Sequence, residues 1–162
     1  MFDLKNKCAL LTLSDLSNFQ SYDNLIIEPL NNLGWECDFI PWDSNSINWD
    51  DFDAVIIRST WDYQQKEKQF FKTLQSIEAS TAILHNSLDT VKWNVNKRYL
   101  LELEREDVSI IPTRLYDSFD FEIISQLFSF FNEDKLIIKP CVSANADDTF
   151  ILDQSIIGSL RP

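Results

Sequence analysis

Apolar positions recur along this chain in two rhythms. Cys8–Leu13 is a short continuous apolar run, the pattern of a strand covered on both faces. After a polar stretch, Leu25–Leu33 carries apolar residues at 26, 30 and 33, and Gly34 stands where such a helix would stop. Pro29 lies inside that pattern, so the helix either starts late or kinks there. Glu36–Pro41 and Ala54–Ile57 read as the second and third strands, with turn-forming residues Trp42-Asp-Ser-Asn-Ser between them. Over Gln64–Glu78, Phe70, Phe71, Leu74 and Ile77 fall on one helical face, and Asp62 followed by Gln65 has the form of a capping box. Ala82–His85 is a fourth short strand. Such a β-α-β-β-α-β series predicts an α/β fold with a mainly parallel open sheet of Rossmann-like form.

Near residue 90 the character changes, and the predicted domain boundary separates 1–90 from 91–162. Thr90–Arg98 holds three basic residues and no acid. A helix is expected over Lys97–Glu106, with Leu100 and Leu103 inward, then a strand ending in the Pro-Thr pair of Ile110-Ile-Pro-Thr113. Phe121–Phe131 repeats apolar residues at 121, 124, 127, 128 and 131 behind Asp120, a capping residue. Leu136–Lys139 is an apolar strand closed by Pro140, Cys141–Thr149 is polar and loop-like, and Phe150–Leu152 is a last short strand.

Composition narrows the function classes. Only two of 162 residues are glycine, where ordinary usage of ~7% would place about 11. A GxGxxG or GxxxxGK[ST] phosphate loop cannot be written from Gly34 and Gly158. The net charge of −12 repels phosphate backbones and anionic lipid, so nucleic-acid and membrane partners are not expected. A small anionic ligand is still compatible with a local concentration of lysines. Three cysteines, an odd number, fit reduced thiols better than a disulfide framework, and no apolar stretch reaches the ~20 residues of a membrane span. The expectation is a soluble cytoplasmic protein. With one histidine and no CxxC, no zinc cluster is expected. His85 ends an apolar strand, which reads as a core histidine rather than the base of a nucleophilic pair.

Two lysines and one strand end stand out. Lys139 closes an apolar strand; it either reaches out to solvent or meets an anion. Lys97 and Arg98 open a helix, where the macrodipole disfavours cations, and a phosphate held between Lys97, Lys139 and the helix-start amides would relieve that conflict. Arg58-Ser-Thr-Trp-Asp-Tyr63 follows the third strand directly, and ligands of open parallel sheets bind beyond the strands' carboxyl ends. There Asp62 reads as a helix cap or a site residue, Ser59 and Thr60 as turn or site residues, and Trp61 as a cover for the core edge.

Taken together, Arg58-Ser-Thr-Trp-Asp-Tyr63, Trp93-Asn-Val-Asn-Lys-Arg-Tyr-Leu100, the Pro112-Thr113 pair and Ile138-Lys-Pro-Cys-Val-Ser-Ala-Asn-Ala-Asp-Asp-Thr149 occur in an order and at a spacing that resemble ATP-grasp proteins. The resemblance is nearest to the cyclo-ligase subgroup that forms cycloserine, and more distant to RimK-type ligases and glutathione synthetases. It implies a Rossmann-like pre-ATP-grasp domain followed by part of an ATP-grasp lobe. It further implies ligation of a carboxylate to an amine or thiol through an acyl phosphate, with ATP and Mg²⁺ as cofactors. Carried over by position, Lys97 and Lys139 resemble the nucleotide-binding lysines, and Ser143, Asn145 and Thr149 lie in the stretch that resembles the phosphate-covering loop. Arg58, Ser59, Thr60 and Asp62 resemble the edge that faces the acceptor substrate. No residue is singled out as catalytic and no metal ligand is identified.

Two departures shape the expectation. The loop carries Asn145 where the family places glycine, and Asp147 and Asp148 add negative charge beside a triphosphate. The metal-binding second lobe of the family would lie beyond Pro162, so the chain is expected to be inactive alone and to expose an apolar face that favours oligomerisation. The alternative is a non-catalytic α/β module that binds a ligand or partner.

Overall fold

The apolar run at the start of the chain becomes the middle of a sheet. In the computed structural model, which describes residues 6–159, Cys8 to Leu11 are at most 2% exposed because β1 (Asn6–Thr12) is flanked by strands on both edges and covered on both faces. β2 (Trp35–Pro41), β3 (Ala54–Ser59) and β4 (Ile83–His85) complete a four-stranded sheet in the order β2-β1-β3-β4, and every pair is parallel. A mainly parallel α/β sheet is therefore what the strand–helix alternation predicts and what the chain forms.

Alternation along β1 sends its side chains to two cores. Ala9 and Leu11 pack with Trp42, Val55 and Leu84, under Phe70, Leu74 and Ile77 of α2 (Glu67–Glu78). Cys8 and Leu10 join Ala54 on the other face, against Ile26 and Ile27 at the start of α1 (Ile27–Asn32). Pro29 is the third residue of α1, where its missing N–H has no intrahelical acceptor in any case, so the helix starts late rather than kinking. Gly34 ends it at φ +87°, with open space where a Cβ would lie.

The structure divides between Lys92 and Trp93 into two compact units. Around the division runs α3 (Leu88–Asn94), a helix absent from the expectations, and α4 (Tyr99–Arg105) is shorter than the Lys97–Glu106 expected. In the second unit α5 occupies Phe121–Phe131 as anticipated. Asp120 Oδ1 accepts from the Ile123 N–H at 2.9 Å, and Asn132 closes the helix in the left-handed region at φ 54°. β5 (Lys135–Ile138) and β6 (Phe150–Asp153) form an antiparallel pair, and α6 (Gln154–Ser159) follows.

Several expectations are overturned. No strand forms at 110–113: Ile111 is 85% exposed, no neighbouring strand pairs with the segment, and Pro112 has no N–H to offer one. His85 is exposed rather than part of the core, because β4 is the sheet's edge strand and buries only its alternate residue, Leu84. Asp62 does not cap the following turn with its side chain; the carboxylate is drawn to an indole and an ammonium described below. The second unit also leaves Ile137 and Ile151, register partners in the β5–β6 pair, 67% and 70% exposed, with Phe150 at 59%.

Candidate substrate and anion sites

The first constellation sits at the carboxyl edge of the parallel sheet. The register shifts between Leu11 and Thr12, so that Thr12 pairs with Ser59 at the ends of β1 and β3. Facing them is Asp23, the first residue of a 3₁₀ turn that leads into α1, and it is 6% exposed. Its Oδ1 accepts from Arg58 Nε at 2.9 Å and Nη2 at 2.6 Å, and its Oδ2 accepts from the Ser59 hydroxyl. Ser21 Oγ lies 3.0 Å from Ser59 Oγ and accepts from the Asp23 N–H at 3.2 Å. The donors fall into one order: Ser59 gives its proton to Asp23, so Ser21 gives its own to Ser59. Burial alone would raise the Asp23 pKa, but the hydrogen bonds from Ser59 and Arg58 and the guanidinium charge outweigh it, and the carboxyl stays below its ordinary value. Arg58 keeps 43% of its side chain exposed.

Asp62, read from sequence beside Arg58, belongs to a different network. Its Oδ1 accepts from Trp42 Nε1 at 2.6 Å, and Lys66 Nζ stands 3.6 Å from Oδ2. Lys66 also donates to Asp43 Oδ2 at 3.1 Å, and Ser14 donates to Asp43 Oδ1 at 2.7 Å. The buried Trp42 ring packs edge-on against Phe70 at 5.3 Å. These bonds tie the segments that leave β1, β2 and β3 to the start of α2, which is a structural role. Thr60 is buried, and the Trp61 ring packs tilted against Phe19 at 5.4 Å. Arg58 and Ser59 thus share one constellation and Asp62 does not. Asp23 and Ser21 were missed: the Ser21–Asp23 spacing signals a local turn at most, and nothing in sequence pairs Asp23 with a residue 35 positions away.

The second constellation lies within the second unit. Lys97 Nζ donates to the Ser143 carbonyl at 3.1 Å and to Ser143 Oγ at 2.7 Å, while the Lys97 N–H reaches the Cys141 carbonyl at 2.8 Å. Burial pushes the Lys97 pKa down, and the charge of Lys139 pushes it further. Lys139 itself is exposed just past β5, which answers its burial problem. The loop between β5 and β6 turns through left-handed backbone at Asn145 (φ 52°), Ala146 (φ 61°) and Asp148 (φ 52°). Those are conformations that glycine adopts freely and alanine at a cost of roughly 1–2 kcal/mol. Thr149 closes the loop through its N–H to the Ala146 carbonyl at 3.1 Å. Asp147 and Asp148 are exposed.

The Lys97 ammonium and the Ser143 hydroxyl beside it present a cation and a donor to the oxygens of an anion. Mg²⁺ is another matter. Among the described residues no three His, Cys, Asp or Glu side chains are placed to hold a metal ion. No helix of the described residues is long and apolar enough to cross a membrane.

Comparison with known proteins finds a family match within the first unit and fold matches over most of the chain. Residues 8–86 match the family described as "D-cycloserine synthetase DcsG, N-terminal domain". The cycloserine biosynthesis protein DcsG of Streptomyces lavendulae is 26% identical over 88 residues, 54% of this chain and 29% of the relative. Among solved structures, D-cycloserine synthetase DcsG superposes with a TM-score of 0.80 at 22% identity, over 94% of this chain and 52% of that one. A RimK domain ATP-grasp protein from Sphaerobacter thermophilus gives 0.67 at 16% identity, over 95% and 58%. The chain therefore spans about half the length of the solved relatives it matches, and shares their fold.

Proposed function

With residues 8–86 forming a domain of the DcsG N-terminal kind and the whole chain resembling ATP-grasp proteins, we propose that this chain is the N-terminal portion of an ATP-grasp ligase-like protein. The complete protein would join a carboxylate to an amine or thiol through an acyl phosphate, at the expense of ATP, in the cytoplasm. The first unit would present the acceptor substrate from the sheet edge around Arg58, Ser59 and Thr60. The second would supply Lys97, Lys139 and the Ser143–Thr149 loop to the nucleotide phosphates.

The observation that carries the reading is the half-buried Lys97 ammonium seated on Ser143, with the charge of Lys139 pushing its pKa further down. A half-buried ammonium held against a second cation is unfavourable until an anion arrives. When bound, ATP would activate the carboxylate by phosphorylating it. The part of this chain's own residues would be to hold the phosphates and offset their charge. Asp147 and Asp148 oppose that charge, and no step is routed through Mg²⁺, for which the described residues offer no ligand set. Alone, the chain is expected to bind nucleotide weakly and to transfer no phosphoryl group.

Calorimetry with ATP and Mg²⁺ tests this directly. Binding should be absent or no tighter than ~1 mM, any residual heat should vanish in Lys97→Ala, and no ADP should be released. ATP turnover by the purified chain would overturn the inactive part of the reading.

A second reading, a partner-binding module, is favoured by the exposed Ile137, Phe150 and Ile151. A homodimer that buries this face, detected by sedimentation, would support it; a monomer at all concentrations would remove it.

A further inference from the structure

The clamp on Arg58 is built for more than tying a turn to a sheet. Asp23 takes Nε and one Nη2 hydrogen on a single carboxylate oxygen, so two of the five guanidinium hydrogens are used. The remaining fork, Nη1 with the second Nη2 hydrogen, is the arrangement that binds a planar oxyanion through two parallel hydrogen bonds. The side chain is 43% exposed while its anchor is 8% exposed, so the guanidinium is fixed from behind and open in front. The hydroxyl chain Ser21–Ser59–Asp23 occupies the other carboxylate oxygen and keeps Asp23 charged.

The same edge shows an unmet polar demand. Thr12, in register with Ser59, is 5% exposed, and its hydroxyl has no hydrogen-bond partner, a condition that costs about 1–3 kcal/mol. A sheet edge that holds a fixed cation and an unpaired buried hydroxyl is organised to receive a polar ligand.

We propose that Arg58, clamped by Asp23, binds a carboxylate at the carboxyl edge of the parallel sheet, and that Asp23 is the positioning residue for that bond. The charge argues for a carboxylate over a phosphate. Asp23 already offsets the guanidinium, and residues 1–90 sum to −8 from 6 basic and 14 acidic side chains, so a dianion is repelled where a planar monoanion fits the fork. This deepens the reading of the edge as the substrate side and rests on it.

The test follows the backbone amide resonances of residues 58–60 in the full chain by NMR during titration with acetate, with alanine of either hand, and with inorganic phosphate. Acetate and alanine should shift them saturably, and phosphate more weakly than either. Arg58→Lys, which keeps the charge and loses the fork, should weaken the binding roughly tenfold or more, and Asp23→Ala, which removes the oxygen that holds Nε and Nη2, should weaken it by a similar factor with the chain still folded. Should Asp23→Ala fail to fold, the exposed Arg58→Lys still decides. No saturable shift with either carboxylate, or tighter binding of phosphate, would overturn the proposal and leave the pair as a tie between the 3₁₀ turn and β3. No nucleotide is present in the titration, so failure of ATP binding at Lys97 and failure of carboxylate binding at Arg58 are read separately.

Discussion

Replacing Asp23 by alanine should destabilise the first unit by about 2–3 kcal/mol. The carboxylate accepts three side-chain hydrogen bonds, but they do not weigh equally. Ser59 is 2% exposed, and a buried hydroxyl bonded to a charged group contributes roughly 1.5–3 kcal/mol. Part of that loss is recovered, because the freed Ser59 hydroxyl can turn to Ser21 Oγ, 3.0 Å away. Arg58, at 43% exposure, is screened and can turn to solvent, so its two bonds together add no more than about 1 kcal/mol. Asp23→Asn retains an acceptor for Arg58 and should cost less, about 1 kcal/mol.

The pH dependence separates the two variants from a merely bulky change. The folded Asp23 pKa lies below its ordinary value of 3.8. Its contribution is therefore fully present above that value and is lost as pH falls through the lower, folded one. Urea unfolding followed by tryptophan fluorescence at neutral pH and in acid measures both effects. The wild type should lose stability in acid more steeply than Asp23→Asn, and the two curves should converge there. Equal slopes in acid, or a loss below about 0.5 kcal/mol for Asp23→Ala, would refute the reasoning.

Three further outcomes are expected. Thr12→Val replaces an unpaired buried hydroxyl with a methyl of similar shape and should stabilise the chain by up to about 1 kcal/mol in the same unfolding assay, while a loss would mean the hydroxyl has a partner. Lys97, whose folded pKa is below 10.5, binds fewer protons folded than unfolded, so stability should rise as pH climbs through the folded pKa towards 10.5. Lys97→Met should lack that rise in thermal melts across alkaline pH, and a rise preserved in the variant would assign it elsewhere. Ile137→Lys, at a 67% exposed position, should reduce any self-association seen by sedimentation while changing stability by less than about 0.5 kcal/mol.

Much of the architecture is legible before folding because hydrophobic periodicity is a local property. The apolar run from Cys8 needs two covered faces whatever its neighbours are, and the spacing of Phe70, Leu74 and Ile77 admits one helical face. The caps of α5 are equally local: Asp120 and Asn132 act within four residues of their partners. Ile110–Thr113 shows the limit of such reasoning. An apolar run becomes a strand only where another strand supplies its hydrogen bonds, and pairing is not written in the run itself.

The candidate site divides along the same line. The position of Arg58 at the carboxyl end of a parallel strand follows from strand order, and the clustering of Lys97 and Arg98 is visible by inspection. Which carboxylate meets which cation is not. Asp62, four residues from Arg58, turns instead to Trp42 and Lys66, while Asp23, 35 residues away, takes the guanidinium. A side-chain hydrogen bond is selected by distance in space and by the cost of burying an unpaired charge, and both depend on where the chain has already been placed. The amino-acid pattern alone determined the alternation of strands and helices and the chemistry available at their ends. Tertiary structure decided which of those groups face one another, since desolvation acts on the folded surface and not on the chain.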